Sequence, residues 1–352
     1  MTVLLIILLF SLLVFLHELG HFLAAKAFNV QVNEFAMFMG PAIVKWRRGE
    51  TLYSIRCIPI GGYCAMEGED DDSDNPRSFG KAKWWKRIII LLAGVTMNFI
   101  AGLLIFAVIC LPGKEVSAPV ITHFTDCCVF NTEQGLQLGD EFLELDGEKI
   151  YVNSDINLIL SLNQRKNHDV TVLRDGKTLE FKNLEMAHTH KDSKGEYLHY
   201  GFQFGDLREA NLWNKIVYTW NVTIDNVRTV RISLQMLLTG KAGLKDLTGP
   251  VGIVQVATDA AEASRTPREA FENVMYLGGF LAINLAVMNL LPIPALDGGR
   301  VVALLITLVI EKITKKKLNP KYEAYVHAAG MILLFGLMAV VFLKDIIMIF
   351  KG

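Results

Sequence analysis

Residues 1–25 read MTVLLIILLFSLLVFLHELGHFLAA, an apolar run apart from Ser11 and the group His17, Glu18 and His21. An α-helix rises 1.5 Å per residue, so about 20 residues cross the hydrocarbon core of a bilayer. The run is long enough to do so. Ionisable side chains inside such a helix cost about 2.5–3.5 kcal/mol each on insertion scales, and they mark function rather than packing. A cleaved export signal is the competing reading, because Ala25-Lys26-Ala27 offers small residues. No Lys or Arg precedes the apolar stretch, however, so the positive start of such a signal is missing.

Three further runs follow. Ile88–Leu111 carries no charge and has Asn98 as its one strongly polar residue; Val274–Ile293 carries Asn284 and Asn289; Val326–Leu343 is shorter and needs its flanks to span. Of the 352 residues 52% are hydrophobic and 20% charged, with mean hydropathy +0.34. That mixture describes apolar membrane segments plus at least one water-soluble domain. It excludes intrinsic disorder. A net charge of −1 leaves no electrostatic footprint for nucleic acid. Five irregularly spaced cysteines make neither a disulfide framework nor a Cys-rich metal site.

Lys and Arg set the orientation. Nothing basic precedes Lys26, whereas Lys45, Arg47, Arg48, Arg56, Arg77, Lys81, Lys83, Lys86 and Arg87 lie between the first two runs. Arg300, Lys312, Lys315, Lys316, Lys317 and Lys321 lie between the last two. Both connections read as cytoplasmic, which leaves the N-terminus, residues 113–270 and the C-terminus outside.

The outside region is not uniform. From Val116 to Phe204, short alternating segments (Val170–Leu173, Leu179–Phe181, Tyr200–Phe204) are separated by Asp146-Gly147, Asp175-Gly176 and Lys194-Gly195. These are strand and turn signals, and they predict a mainly β domain of about 90 residues. From Ala210 to Leu238 the period lengthens: Trp213, Ile216, Val217, Trp220, Ile224, Val227, Val230 and Leu234 recur every three to four positions. This is an amphipathic helix, lying either against the β domain or on the membrane surface. Cys127-Cys128 reads as packing rather than a strained vicinal disulfide, and His188, His190 and His199 as solvated side chains in a polar loop.

His17-Glu18-Leu19-Gly20-His21 fits H-E-x-x-H. Positions i and i+4 share a helix face, so both imidazoles can reach one metal ion. Zinc held by two histidines with an open position lowers the pKa of a bound water to about 7, and a carboxylate one residue from the first ligand can take that proton and deliver it to a leaving amine. A third protein ligand is needed. After the third run comes Asn289-Leu290-Leu291-Pro292-Ile293-Pro294-Ala295-Leu296-Asp297-Gly298-Gly299, whose two prolines break the helix near membrane depth. Irregular backbone there is tolerated where it lines a polar cavity, so Asp297 is a carboxylate presented to one; a plain Asp-Gly turn at the interface is the alternative.

Together, HELGH and NLLPIPALDGG resemble the signatures of the site-2 protease family of intramembrane zinc metalloproteases, H-E-x-x-H with Asn-x-x-Pro-x-x-x-Leu-Asp-Gly. The resemblance implies that His17, His21 and Asp297 hold Zn2+, that Glu18 is the general base, and that Asn289 holds substrate or polarises its carbonyl. Phe38-Met39-Gly40-Pro41 and Tyr53–Tyr63 resemble the family's membrane-reentrant β-hairpin, here turning at Arg48-Gly49. In the family that hairpin receives substrate as an added strand. Gly135–Gly147 resembles a PDZ-domain stretch, and Thr248–Ile253 the segment before the third span of bacterial members.

The nearest branch is the bacterial regulator of sigma-factor proteolysis, in its single-PDZ form. The implied fold is a polytopic α-helical membrane protein: four transmembrane helices, a membrane-reentrant β-hairpin and one inserted extracytoplasmic PDZ-like domain. The expected divisions are 1–112, the N-terminal membrane half; 113–205, the PDZ-like domain; 206–270, an amphipathic helical segment; and 271–352, the C-terminal membrane half. The implied substrates are transmembrane helices of single-span membrane proteins, such as an anti-sigma factor or a remnant signal peptide. They would be cut near the cytoplasmic side of the bilayer, with the PDZ-like domain contacting substrate ends outside. A catalytically dead scaffold would lack the four reactive side chains, and a zinc transporter would need polar residues along the second and fourth runs, which lack them.

Overall fold

The computed structural model describes the chain except residues 1, 70, 72, 126–134, 193–194, 241–242, 244–248, 316–320 and 352. Cys127, Cys128, Lys194, Thr248, Lys316 and Lys317 therefore lie outside the described residues. The chain divides into two compact units, residues 1–106 with 226–352, and residues 107–225.

The first unit is built on α1 (Thr2–Ala27), which Asn29 closes in a left-handed conformation at φ 60°. Two long strands follow, β1 (Val32–Arg48) and β2 (Thr51–Met66), joined at the expected Arg48-Gly49 turn. They are more folded than a simple hairpin. Residues 42–48 pair with 51–56, while residues 34–37 pair on one side with 52–55 and on the other with 62–65. Arg56 fastens this curl by donating to the Gly40 carbonyl (2.6 Å), to Glu34 (2.8 Å) and to the Tyr63 hydroxyl. Helix α2 (Trp84–Cys110) then runs beside α1, and Ala25, Phe35, Cys64, Met66, Ile90 and Leu91 from all these elements share one buried cluster. A second cluster, Leu13, Ala101, Leu281 and Ala282, joins α1 and α2 to α6 (Pro267–Asn289). Thr266 caps α6 by accepting the Glu269 N–H at 3.1 Å, with Pro267 at the first helical position.

Helix α6 ends at Asn289, so Leu290–Ile293, the end of the third apolar run, leave the helix. The next stretch is not the simple connection that the sequence suggested. Asp297–Thr314 is a helix, α7, with Leu304 buried. The last apolar run is the middle of α8 (Lys321–Lys351), whose added turns supply the missing length. Four helices are long and apolar enough to cross a membrane, over Leu5–Ala27, Trp84–Cys110, Pro267–Asn289 and Tyr325–Asp345. The chain is a polytopic, multi-pass membrane protein.

In the second unit the sheet order is β10 (Phe202–Glu209), β3 (Glu115–Phe124), β4 (Glu141–Leu145), β6 (Asn167–Arg174), β7 (Lys177–Glu185), with β5 (Glu148–Lys149) on β4. First and last strands are neighbours, pairing Glu115 with Glu209, so the chain enters and leaves side by side. Asp146-Gly147 and Asp175-Gly176 have φ 52°, 81° and 49°, 76°, the two positive values that tight hairpin turns of the right twist require. Helix α3 (Asn153–Leu162), unforeseen in the sequence, lends Ile156, Ile159 and Leu160 to a core with Phe142, Leu145, Val170 and Val172. His188 and His199 are cross-strand partners in the ribbon β8–β9 (His188–Asp192, Gly195–His199), not members of a loop.

His168, fully buried, binds Asp146 Oδ2 through Nδ1 (2.8 Å) and the Arg165 carbonyl through Nε2 (2.9 Å). The carboxylate accepts, so Nδ1 donates, and Nε2 also lies 3.3 Å from the Tyr200 hydroxyl. Burial pushes the Asp146 carboxyl up, but hydrogen bonds from His168, Arg165 and the Asp169 N–H outweigh it and hold the group below the ordinary carboxylate range. A folded-state pKa below the unfolded one stabilises above about pH 4, and the contribution is lost as pH falls through the folded value. His168→Leu removes one partner of a carboxylate that keeps Arg165, Asn163 and the Asp169 N–H, and is expected to cost about 1.5–3 kcal/mol, the range for a hydrogen bond to a charged group. Amide hydrogen exchange of residues 141–204 in the full-length protein checks this: protection should fall there and stay unchanged in α1 and α2.

The amphipathic segment forms helix α4 (Leu212–Leu238). In its first half Trp213, Ile216, Val217 and Trp220 are exposed while Thr219, Thr223 and Asp225 are buried; further on Val230 and Ile232 are buried. The early turns therefore expose most of their large apolar side chains, with Val222 buried, and Leu237 and Leu238 are exposed again at the end. Helix α5 (Pro250–Glu262) starts where the Gly252 N–H donates to the buried Asp345 at 3.1 Å, an acid at a helix N-terminus.

Candidate metal centre

One turn of α1 places His17 and His21 on the same face, and the break after α6 brings Asp297, first residue of α7, against them. The His17 Nε2 lies 3.1 Å from His21 Nε2, and Asp297 Oδ2 lies 3.1 and 3.4 Å from the two nitrogens. Among the described residues, this trio is the one set of donors that converges closely enough to hold an ion. A tetrahedral centre with bonds of 2.0–2.2 Å separates its ligand atoms by about 3.3–3.5 Å, close to the triangle seen here. The electronic test agrees. The His21 Nδ1 lies 2.8 Å from the Ile90 carbonyl, which can only accept, so Nδ1 carries the proton and Nε2 presents a lone pair. Asp297 Oδ2 is buried and receives no well-directed hydrogen bond among the described residues. Lone pairs pointed at one another repel unless a cation lies between them, so the donor set fits a metal.

Glu18 stands beside the trio and feels the charges of His21, His17 and Asp297. Its neighbour is the β2 stretch: a Cβ at Gly62 would lie 3.7 Å from Glu18 Cγ. Asn289 is the last residue of α6 and half-buried, at the start of the irregular segment that carries Asp297. That segment is pinned from outside itself. The Ala295 N–H, at φ 82°, donates to His327 Nδ1 on α8 at 3.1 Å. Arg300, one turn after Asp297, is paired with Glu69, which follows β2. The β2 exit and the start of α7 are thus tied across the centre. Neither tie was legible in the sequence, since both join residues far apart in the chain with no motif of their own.

An H-E-x-x-H helix within a multi-pass membrane unit, completed by an aspartate from a broken helix, is the architecture of a membrane metalloprotease. The chain belongs to Peptidase family M50, the site-2 protease family, whose model matches residues 5–337. It is similar to a Clostridium perfringens protein named "Putative zinc metalloprotease" (35% identity over 99% of each chain). It is also similar to the regulator of sigma-W protease RasP of Bacillus subtilis (30% identity, 98% of each chain) and to the zinc metalloprotease RasP of Bacillus licheniformis (28% identity, 98% of each chain).

Proposed function

We propose that the protein is a zinc endopeptidase that cuts a peptide bond within or next to the transmembrane helix of single-span membrane proteins. The observation that carries this reading is the His17–His21–Asp297 triangle, held on membrane-crossing helices beside Glu18. When bound, zinc supplies Lewis acidity toward a carbonyl oxygen and toward water. His17, His21 and Asp297 hold it. Glu18 takes a proton from the attacking water and returns it to the leaving amine. Asn289 donates to the developing oxyanion. Helical substrate backbone resists attack because its carbonyls are already bonded; pairing as an added strand along the 62–65 stretch, the one beside Glu18, would expose a single bond.

The second unit we read as the PDZ-like domain, outside the cell, with the centre toward the cytoplasm; the basic residues between the spans support that orientation. The β1–β2 curl we read as membrane-reentrant. Substrate remnants left by an outside cut, from an anti-sigma factor or a signal peptide, fit a site fed from within the bilayer, and the RasP relatives support that class.

Purified protein in detergent should carry close to one zinc per chain and cut a single-span substrate whose helix contains a weakening residue. Chelation should stop cleavage and zinc restore it, while His21→Ala should retain neither metal nor activity. Cleavage that survives complete metal removal would end this reading. Deleting residues 116–204 should change which substrates are cut and leave metal content at wild-type level, measured by elemental analysis beside a substrate panel.

A further inference from the structure

The two histidines are not held by α1 alone. Ile90, Gly94 and Asn98 lie four apart on one face of α2, and each meets the imidazoles in a different way. The Ile90 carbonyl accepts from His21 Nδ1 at 2.8 Å. Gly94 gives the rings room, since a Cβ there would lie 2.4 Å from His21 Nε2 and 2.8 Å from His17 Cε1. The Asn98 amide lies 3.3 Å from His17 Nδ1. Both side chains are buried, Asn98 at 1% and His17 at 8% exposure. The helices run antiparallel, so a stripe spaced i, i+4, i+8 on α2 reads His21 and then His17.

Asn98 is a strongly polar residue in the middle of an apolar span, which needs a reason. With Nδ2 turned toward His17, its Oδ1 is buried and has no partner among the described residues. That orientation would also make Nδ1 of His17 the acceptor and leave the ring proton on Nε2, aimed at Asp297. Turning the amide by half a revolution, which changes no heavy-atom position appreciably, repairs the tautomer and puts the strong acceptor to use. Oδ1 then accepts the Nδ1–H of His17, and Nε2 becomes a lone pair matching that of His21.

We propose that Asn98 is the positioning residue of His17: its Oδ1 fixes the ring's orientation and tautomer so that Nε2 faces the metal. This rests on the reading of the centre as a zinc site. A neutral amide does here what a carboxylate does in water-exposed sites, without placing another charge in the membrane. Ile90 supplies the same acceptor to His21 from the backbone, which is why one polar side chain suffices.

The test measures zinc affinity of the purified protein by competition with a chromophoric chelator, for wild type, Asn98→Leu, Asn98→Asp and His21→Ala. Losing an outer hydrogen bond to a ligand typically costs 10–100-fold in metal affinity. Asn98→Leu should show that loss. Asn98→Asp keeps the acceptor and should bind near wild type. Thermal unfolding with excess chelator separates positioning from packing: Asn98→Leu should then match wild type. Cobalt-loaded protein gives a second readout, with visible absorption bands altered in Asn98→Leu and restored in Asn98→Asp. Wild-type affinity in Asn98→Leu, or equal weakening in Leu and Asp variants, overturns the proposal while the zinc site stands. Should Asn98→Leu not fold, the Asp variant decides alone: tight binding supports the role, and loss of zinc refutes it. A wild type whose zinc survives His21→Ala overturns the site reading itself, and this proposal with it.

Discussion

Glu18→Gln should lower peptide cleavage by about 10²–10⁴-fold, the usual contribution of a general base, and leave zinc content unchanged. Glutamine keeps the size and hydrogen-bonding reach of glutamate but cannot hold the transferred proton. The three converging donors belong to His17, His21 and Asp297, so the metal set is untouched by the substitution. Glu18 is the acid next to that set, with its Cγ 3.7 Å from where a Cβ at Gly62 would stand. The measurement is initial cleavage rate of a single-span substrate in detergent alongside elemental analysis. Unchanged cleavage would remove Glu18 from the proposed chemistry. Loss of zinc together with activity would show that it serves the metal rather than the proton. The same variant, compared with wild type by proteomics of membrane peptides in cells, should accumulate the physiological substrates uncut.

Much of this was legible because membrane segments and metal motifs obey short-range rules. A run such as Ile88–Leu111 declares a spanning helix by composition, and the structure gives Trp84–Cys110. His17 and His21 share a face because of a four-residue spacing, whatever else surrounds them. Asp175-Gly176 declares its turn through the backbone conformations that only such residues adopt readily. What stayed hidden depends on distant contacts. Helix α7 lies in the basic connection between the third and fourth apolar runs, where Arg300 and the lysines after it mark a loop, yet Asp297-Gly298-Gly299 open a helix whose Leu304 is buried. The third run does not end where its hydrophobicity ends, since Leu290–Ile293 are needed as irregular backbone. Asn98 was visible as a polar residue out of place, but its partner is 81 positions away, and no period connects the two. The acceptor for His21 is a backbone carbonyl, which any residue type could supply.

The glycines after Asp297 carry the second large expectation. Gly298→Ala should abolish stable zinc binding and lower cleavage by at least about 10²-fold, the loss that a displacement near 1 Å at a reactive site can cause. An added Cβ would lie 2.2 Å from the Leu290 carbonyl oxygen and 2.5 Å from that of Leu291. At Gly299 it would lie 2.1 Å from the Ile293 carbonyl oxygen. These are backbone atoms, and they cannot swing aside as the end of a long side chain can. The segment is also held on its far side, by Ala295 on His327 and by Pro294 against Gly330. Relief therefore has to come from α7 moving away, and Asp297 moves with it, out of the 3.1–3.4 Å triangle. Gly336→Ala is the matched control: nothing lies within 4 Å of its added Cβ, in the middle of α8. Helix propensity predicts that it binds and cleaves as wild type, and a gain of up to about 1 kcal/mol in stability. Measuring chelator competition and cleavage for both variants decides the matter, for if Gly298→Ala holds zinc as tightly as Gly336→Ala, then the close backbone approach is not what keeps Asp297 at the centre.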